Sequence, residues 1–206
     1  MSASGDKKID GRRTALVIID LQNDFLDPRG AYARGGDANP MALPLPGRAA
    51  QAARALKAAE GFVAASQFTL WPDTKGEPMI SPHLHSMRPY LRRGDFAPGS
   101  WGQANVQALA GLVDVAVCKV AYSAFFNTQL DWVLRKCGID TVAVCGIVTN
   151  GGVASTVRDA HMRDYRTLVL SDVCAAFGQG RHDTALADMR NVAEVIDGDA
   201  FARMLG

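Results

Sequence analysis

An α/β fold built on a six-stranded, mainly parallel sheet is predicted by three features of this 206-residue chain. Short apolar runs recur along its length. Helical patterns fall between most of them. The two longest irregular stretches each follow one of the runs. The runs lie at residues 15–19 (ALVII), 62–65 (FVAA), 113–120, 141–145 (TVAVC), 167–170 (TLVL) and 192–196. They are continuously apolar and rich in β-branched residues, the pattern of strands buried on both faces. Residues 49–60 are alanine-rich, with Ala52, Leu56 and Ala59 near helical spacing. Residues 128–136 carry Leu130, Val133 and Leu134 on one side, residues 153–163 and 183–189 read similarly, and 200–205 close the chain. Strand–helix alternation implies parallel strands joined by right-handed crossovers, with helices on both faces of the sheet.

Composition narrows the class. Hydrophobic residues make up 48% and charged residues 21%, which is ordinary globular usage. The balance of 22 Lys+Arg against 21 Asp+Glu gives +1, without the electrostatic footprint of a nucleic-acid binder. No stretch approaches the roughly 18–20 apolar residues that would span a bilayer. The opening MSASGDKKIDGRR is polar and lacks a signal core. Cys118, Cys137, Cys145 and Cys174 are scattered without a C-x-x-C pair, which reads as reduced thiols in a cytoplasmic protein. The expectation is a flexible extension over residues 1–13 and one domain over 14–206, with no membrane or nucleic-acid partner.

Residues 27–46 and 69–102 break the alternation with glycines and prolines. Loops beyond about 12–15 residues often act as lids or binding loops. In an open parallel sheet, ligands bind where loops leave the carboxyl ends of strands, so both stretches are expected to overhang that edge.

Three strand ends can carry chemistry. Asp20 follows the first run directly; it either caps the loop or sits shielded from water with a shifted pKa. Lys119 interrupts the third run, and a buried lysine requires a partner. Asp20 is the candidate if the first and third strands are neighbours; otherwise Lys119 lies past the strand and snorkels to water. The run from Cys145 to Val153 passes through Gly151-Gly152 into a helix. Unpaired N–H groups at such a helix start form an anion or oxyanion site, although glycines are also routine at tight strand–helix turns.

Together these segments resemble the isochorismatase-like superfamily, often called cysteine hydrolases. The likeness runs from Thr14 to about Phe177. It is carried by ALVIIDLQNDF, the SQF at Ser66–Phe68, PGSWG at Pro98–Gly102, KVAYSAFFNTQLDWVLRKCGID, VAVCGIVTNGGVASTVRDAHMRDY and LSDVCAAF. The resemblance implies a Rossmann-like three-layer α/β/α fold and an Asp–Lys–Cys site, with Asp20 and Lys119 on the first two positions. Gly152 falls on the third, where the cysteine hydrolases carry their nucleophile, so covalent acyl-enzyme chemistry by that route is excluded. It further implies a cis peptide at Val148–Thr149, backbone oxyanion donors around Val148, Thr149 and Gly151, and a homo-oligomer, dimer or tetramer. Phe125-Phe126 would serve either as its surface or as core.

True isochorismatases are similar in carrying glycine at this position. They cleave a vinyl ether with the Asp as general acid and water as nucleophile. Gln67 falls where they use a Gln toward substrate. The chain departs from them in having Val120-Ala121 rather than a Trp-Arg pair after the lysine, and Thr149-Asn150 is the cysteine-hydrolase form. The expected function is therefore hydrolysis of a small carboxylated or cyclic metabolite by water, with vinyl-ether cleavage favoured. Phe25, Trp101, Tyr122 and Gln67 are expected to contact substrate, with Trp71 and residues 88–93 shaping the pocket. A bound carboxylate would engage Lys119. The alternatives are a binding-only descendant, an amidohydrolase using another route, and an engineered glycine in a trapped enzyme. Cys145 reads as core and Cys118 as pointing away from Lys119, leaving Cys174 as the substitute thiol. His83 and His85 lack a third ligand, so no metal or other cofactor is expected.

Overall fold

The computed structural model describes residues 8–206. Six parallel strands form one sheet in the order β3-β2-β1-β4-β5-β6. They are β1 (Thr14–Ile19), β2 (Phe62–Phe68), β3 (Val115–Lys119), β4 (Thr141–Ile147), β5 (Arg166–Ala175) and β6 (Glu194–Ile196). The central β1 and β4 are buried at every position, which is why their sequences are continuously apolar. β3 lies at an edge and alternates instead, with Ala116 and Cys118 exposed while Val117 and Lys119 are buried.

Chain direction across the sheet reverses between β1 and β4. The crossover helix α3 (Leu45–Ala58) therefore covers one face together with the C-terminal α8 (Gly198–Leu205). α6 (Ala154–Met162) and α7 (Gln179–Met189) pack side by side on the other. A ligand crevice belongs at this reversal, outside the carboxyl ends of β1 and β4.

The two irregular stretches do overhang that edge, but they are not structureless. α1 (Asn23–Leu26) leads into the first, which contains α2 (Ala31–Arg34); the second contains α4 (Pro82–Met87), and α5 (Leu130–Lys136) follows β3. Ala31, Leu70, Leu91 and Phe96 form a small second core, with Phe25, Tyr32 and Phe68 packed against it. Buried Asp24 fastens it. Its carboxylate accepts the Ala31 N–H at 3.0 Å and the Phe96 N–H at 2.7 Å, joining both stretches to the end of β1. A Cβ at Gly102 would run into that same carboxylate. α1, α2 and α4 are too short for periodicity to reveal.

The described part of the N-terminal segment is anchored rather than free. Ile9 is buried and donates its N–H to the Met204 carbonyl at 2.9 Å, while Gly11–Arg13 form a 3₁₀ turn. Residues 1–7 lie outside the described residues. Among the described residues, no helix is long and apolar enough to cross a membrane.

Candidate active site

Asp20 occupies the first position after β1, in the left-handed region at φ 54°. Asp tolerates that region better than most residues, and such conformations cluster at functional sites. Its backbone N–H donates to the Ser66 carbonyl at 3.3 Å, and the Ser66 hydroxyl donates to Oδ1 at 2.8 Å. Lys119 Nζ stands 2.7 Å from Oδ2. The expected pair therefore forms, but not across neighbouring strands. β2 lies between β1 and β3, and the lysine reaches past its end from the sheet edge.

Lys119 is 2% exposed, and its ammonium also donates to the Ala121 and Tyr122 carbonyls, each at 3.0 Å. All three N–H groups are thereby used. A substrate carboxylate cannot engage this lysine without displacing a partner, contrary to the sequence expectation. Burial pushes the Asp20 carboxyl above the usual carboxylate range, with Lys119 and the Ser66 hydroxyl pulling it back.

β4 carries the opposite wall. Gly146 has φ +114°, and a Cβ there would strike the Ile19 backbone, so only glycine lets β4 close against β1. The cis peptide lies at Ile147–Val148, one residue before the expected Val148–Thr149, because it falls directly where β4 ends. The chain then makes a π-helical turn, Thr149–Val153, leading into α6. Gly151 N–H donates to the Val148 carbonyl at 2.9 Å, so this amide is spent inside the turn rather than offered to an oxyanion. Thr149 is fully buried behind the turn and shares a 2.9 Å hydrogen bond with His182 Nδ1 on α7. Gly152 faces the cavity with no empty side-chain slot behind it. A Cβ there would lie 2.8 Å from Ile19 Cγ2 and 3.1 Å from the Ile147 carbonyl oxygen.

These groups border a cavity of about 490 Å³, an ordinary size for a small-molecule site. Asp20, Lys119, Phe25, Tyr122, Val148, Gly151 and Gly152 all line it. Two expected contacts are not among the lining residues. Gln67 is paired in register with Cys118, so strand alternation turns it away from the face carrying Ser66, Phe68 and Lys119. Trp101 is half-exposed with the Arg29 guanidinium 4.6 Å from its ring centroid. Of the expected Trp71 and residues 88–93, only Arg88 contributes.

The sequence reading missed Tyr32, Phe177, Asn150, Ser155 and Arg181, all of which line the cavity. Tyr32 and Phe177 come from distant segments yet stack at 6.2 Å, which no local pattern signals. Neither Cys174, the expected substitute thiol, nor Cys145 is among its lining residues. Burial raises Cys145 well above a normal thiol and Cys174 to about 12, the reverse of what a nucleophile needs. Cys118 is exposed on the other side of β3. Among the described residues, no group of three or more His, Cys, Asp or Glu side chains is placed to hold a metal.

Comparison with known proteins agrees with this architecture. The family model for the isochorismatase domain matches residues 14–200. The ureidoacrylate amidohydrolase RutB of Methylobacterium radiotolerans is 33% identical over 216 aligned residues, covering 96% of this chain and 81% of that relative. A cysteine hydrolase from Pseudomonas syringae pv. phaseolicola superposes with a TM-score of 0.81 at 26% identity, covering 96% and 94% of the two chains. N-carbamoylsarcosine amidase from Thermoplasma acidophilum gives 0.71 at 27% identity, covering 91% and 97%. An α/β sheet whose carboxyl edge holds a buried Asp–Lys pair, matched over nearly its whole length, places this chain in the isochorismatase family of hydrolases.

Proposed function

We propose that the chain hydrolyses a C–N bond in a small carboxylated ureido or amide compound, with water rather than a side chain as nucleophile. The observation that carries this reading is Asp20, a buried carboxylate lining the cavity with its pKa raised and its orientation fixed by Lys119 and Ser66. The names of the RutB relative and of the carbamoylsarcosine amidase move the first reading to a C–N bond, away from the vinyl ether suggested by Gly152.

In this mechanism Asp20 takes a proton from water as the water oxygen bonds to the substrate carbonyl carbon. The developing oxyanion is received by amides of the 149–153 turn, those of Asn150 and Gly152, since Gly151's amide is already engaged. Collapse breaks the C–N bond, and Asp20 returns its proton to the leaving nitrogen. Raised basicity serves both steps, because a carboxylate with an ordinary pKa is a weak base near neutrality. Lys119 is a positioning residue here, holding Asp20 while its remaining donors are tied to main-chain carbonyls.

A second reading, protonation of a vinyl ether by Asp20, is favoured by one observation. A carboxyl whose pKa is raised by burial keeps its proton at higher pH. The test is turnover of ureidoacrylate, short amides and vinyl ethers by wild type and Asp20→Asn. We expect wild type to release amine or ammonia and the variant to lose about 10²–10⁴-fold in kcat. Undiminished turnover in the variant would refute both catalytic readings. Ligand binding by wild type without turnover of any class would leave a binding protein.

A further inference from the structure

We infer that Arg181 is the specificity-determining residue of the cavity, holding a substrate carboxylate at the wall between two adjoining cavities. This rests on the hydrolase reading above and names what that reading leaves open, the group that selects the substrate.

Charge sets the question. Among the described residues, three cationic side chains line the main cavity, Arg88, Lys119 and Arg181, against a single carboxylate, Asp20. Such an imbalance suits an anionic ligand. Two of the three cations are engaged. Lys119 spends its donors on Asp20 and two carbonyls. Arg88 donates to the Tyr32 hydroxyl at 3.3 Å and to the Met87 carbonyl at 2.9 Å, stands 3.8 Å from an Asp37 carboxylate oxygen, and lies 5.7 Å from the Tyr32 ring centroid. Arg181, near the start of α7, has no side-chain hydrogen bond or ion pair among the described residues.

Position supports the same conclusion. Arg181 and Asn150 also line a second cavity of about 670 Å³ between α6 and α7. A second guanidinium there, Arg158, is paired with Asp188. Arg181 thus stands between both spaces with its planar fork of donors unused, the geometry suited to a carboxylate. The substrate is then a carboxylate whose scissile group reaches Asp20 while its charged end is held at the α6–α7 side. Longer acids extend into the second cavity.

Binding is the readout, because it does not depend on turnover. Affinities of ureidoacrylate, N-carbamoylglycine and benzoate, each against its own carboxamide, are measured by calorimetry for wild type, Arg181→Gln, Arg181→Lys and Asp20→Asn. We expect wild type to prefer at least one acid over its amide by about tenfold or more, and the preference to shrink at high ionic strength. R181Q abolishes it, R181K keeps part of it, and D20N keeps it while losing turnover. A preference that survives in R181Q, or no preference by wild type in any of the three pairs, overturns the assignment. A preference that depends on Arg181 in a protein that turns nothing over supports the assignment and overturns only the hydrolase reading.

Discussion

At the residue scale the Asp20–Lys119 pair sets both chemistry and cost. Removing one partner of a buried pair leaves an uncompensated charge, so Lys119→Met is expected to lower stability by about 3–5 kcal/mol near neutral pH in denaturant unfolding. The same change removes one of the influences holding the Asp20 pKa down, so that pKa rises further. This gives a kinetic signature. If Asp20 acts as base, kcat/KM falls as pH drops through its raised pKa, and K119M moves that limb to higher pH. If Asp20 acts as acid, activity is instead lost as pH rises through the same value, so the direction of the limb decides between the two readings. Stability follows the proton count. Because its folded pKa is raised, Asp20 holds a proton more firmly in the native state than in the unfolded chain. Its contribution is therefore fully present below the ordinary carboxylate pKa of about 3.9 and is lost as pH rises through the raised value. The stability of wild type relative to D20N should decline over that window, and an increase would contradict the assignment.

Gly152 poses a packing question at the same scale. Ile19 Cγ2 stands where a side chain at 152 would need room, so Gly152→Cys is expected to destabilise by about 1–3 kcal/mol through overpacking. In a double-mutant cycle, Ile19→Ala should relieve part of that cost, giving a double variant more stable than the sum of the single changes. Strict additivity would mean that Ile19 is not what opposes the side chain. Asp20 and Lys119 were legible in the sequence because each interrupts or ends an apolar run, where a charge demands a partner. The resemblance places Gln67 toward substrate, yet a resemblance fixes a position along a strand but not its face; its register with exposed Cys118 does. Arg181 carries no local signal, and Phe177 only marks the end of the resemblance, since they reach the cavity from a helix start and a loop that only the fold brings near.

At the element scale, strands were easier to read than their lengths. The apolar run 167–170 marked the start of β5, yet the strand continues through Ser171 and Asp172 to Ala175, across a register irregularity opposite Val144–Gly146. Polar residues in a bulged strand look like a loop. α1, α2 and α4 were missed because four to six residues do not complete two helical turns, and their stability comes from tertiary anchors instead. Asp24 is the chief such anchor, and Asp24→Asn tests it. The amide keeps one acceptor and turns an N–H toward another N–H, so about 1–3 kcal/mol of stability should be lost. Phe25, Tyr32, Leu84 and Arg88 sit on or beside the anchored segments and line the cavity. Substrate KM should therefore rise more than kcat falls. A stable D24N protein with unchanged KM would show that these loops do not depend on the fastening.

At the scale of the whole molecule, the described residues form two cores of unequal depth. The main one surrounds β1 and β4, whose residues are buried throughout. The smaller one, around Phe96 and Leu70, lies over the carboxyl edge of the sheet and closes one side of the active cavity. Segments with fewer buried apolar partners open with a lower free energy than the global transition. Amide hydrogen exchange should accordingly separate two classes. The β1 and β4 amides exchange only on global unfolding, whereas those of Ala31 and Phe96, held by Asp24, exchange through a cheaper opening of the overhanging segments. A bound carboxylate contacts walls from both cores, so it should slow exchange at Ala31 and Phe96 well beyond its effect on the rate of global unfolding. Equal protection of both classes in the free protein would show that the overhanging segments and the sheet unfold as one unit. The cavity would then be a rigid cleft, and substrate entry would require no opening of its cover.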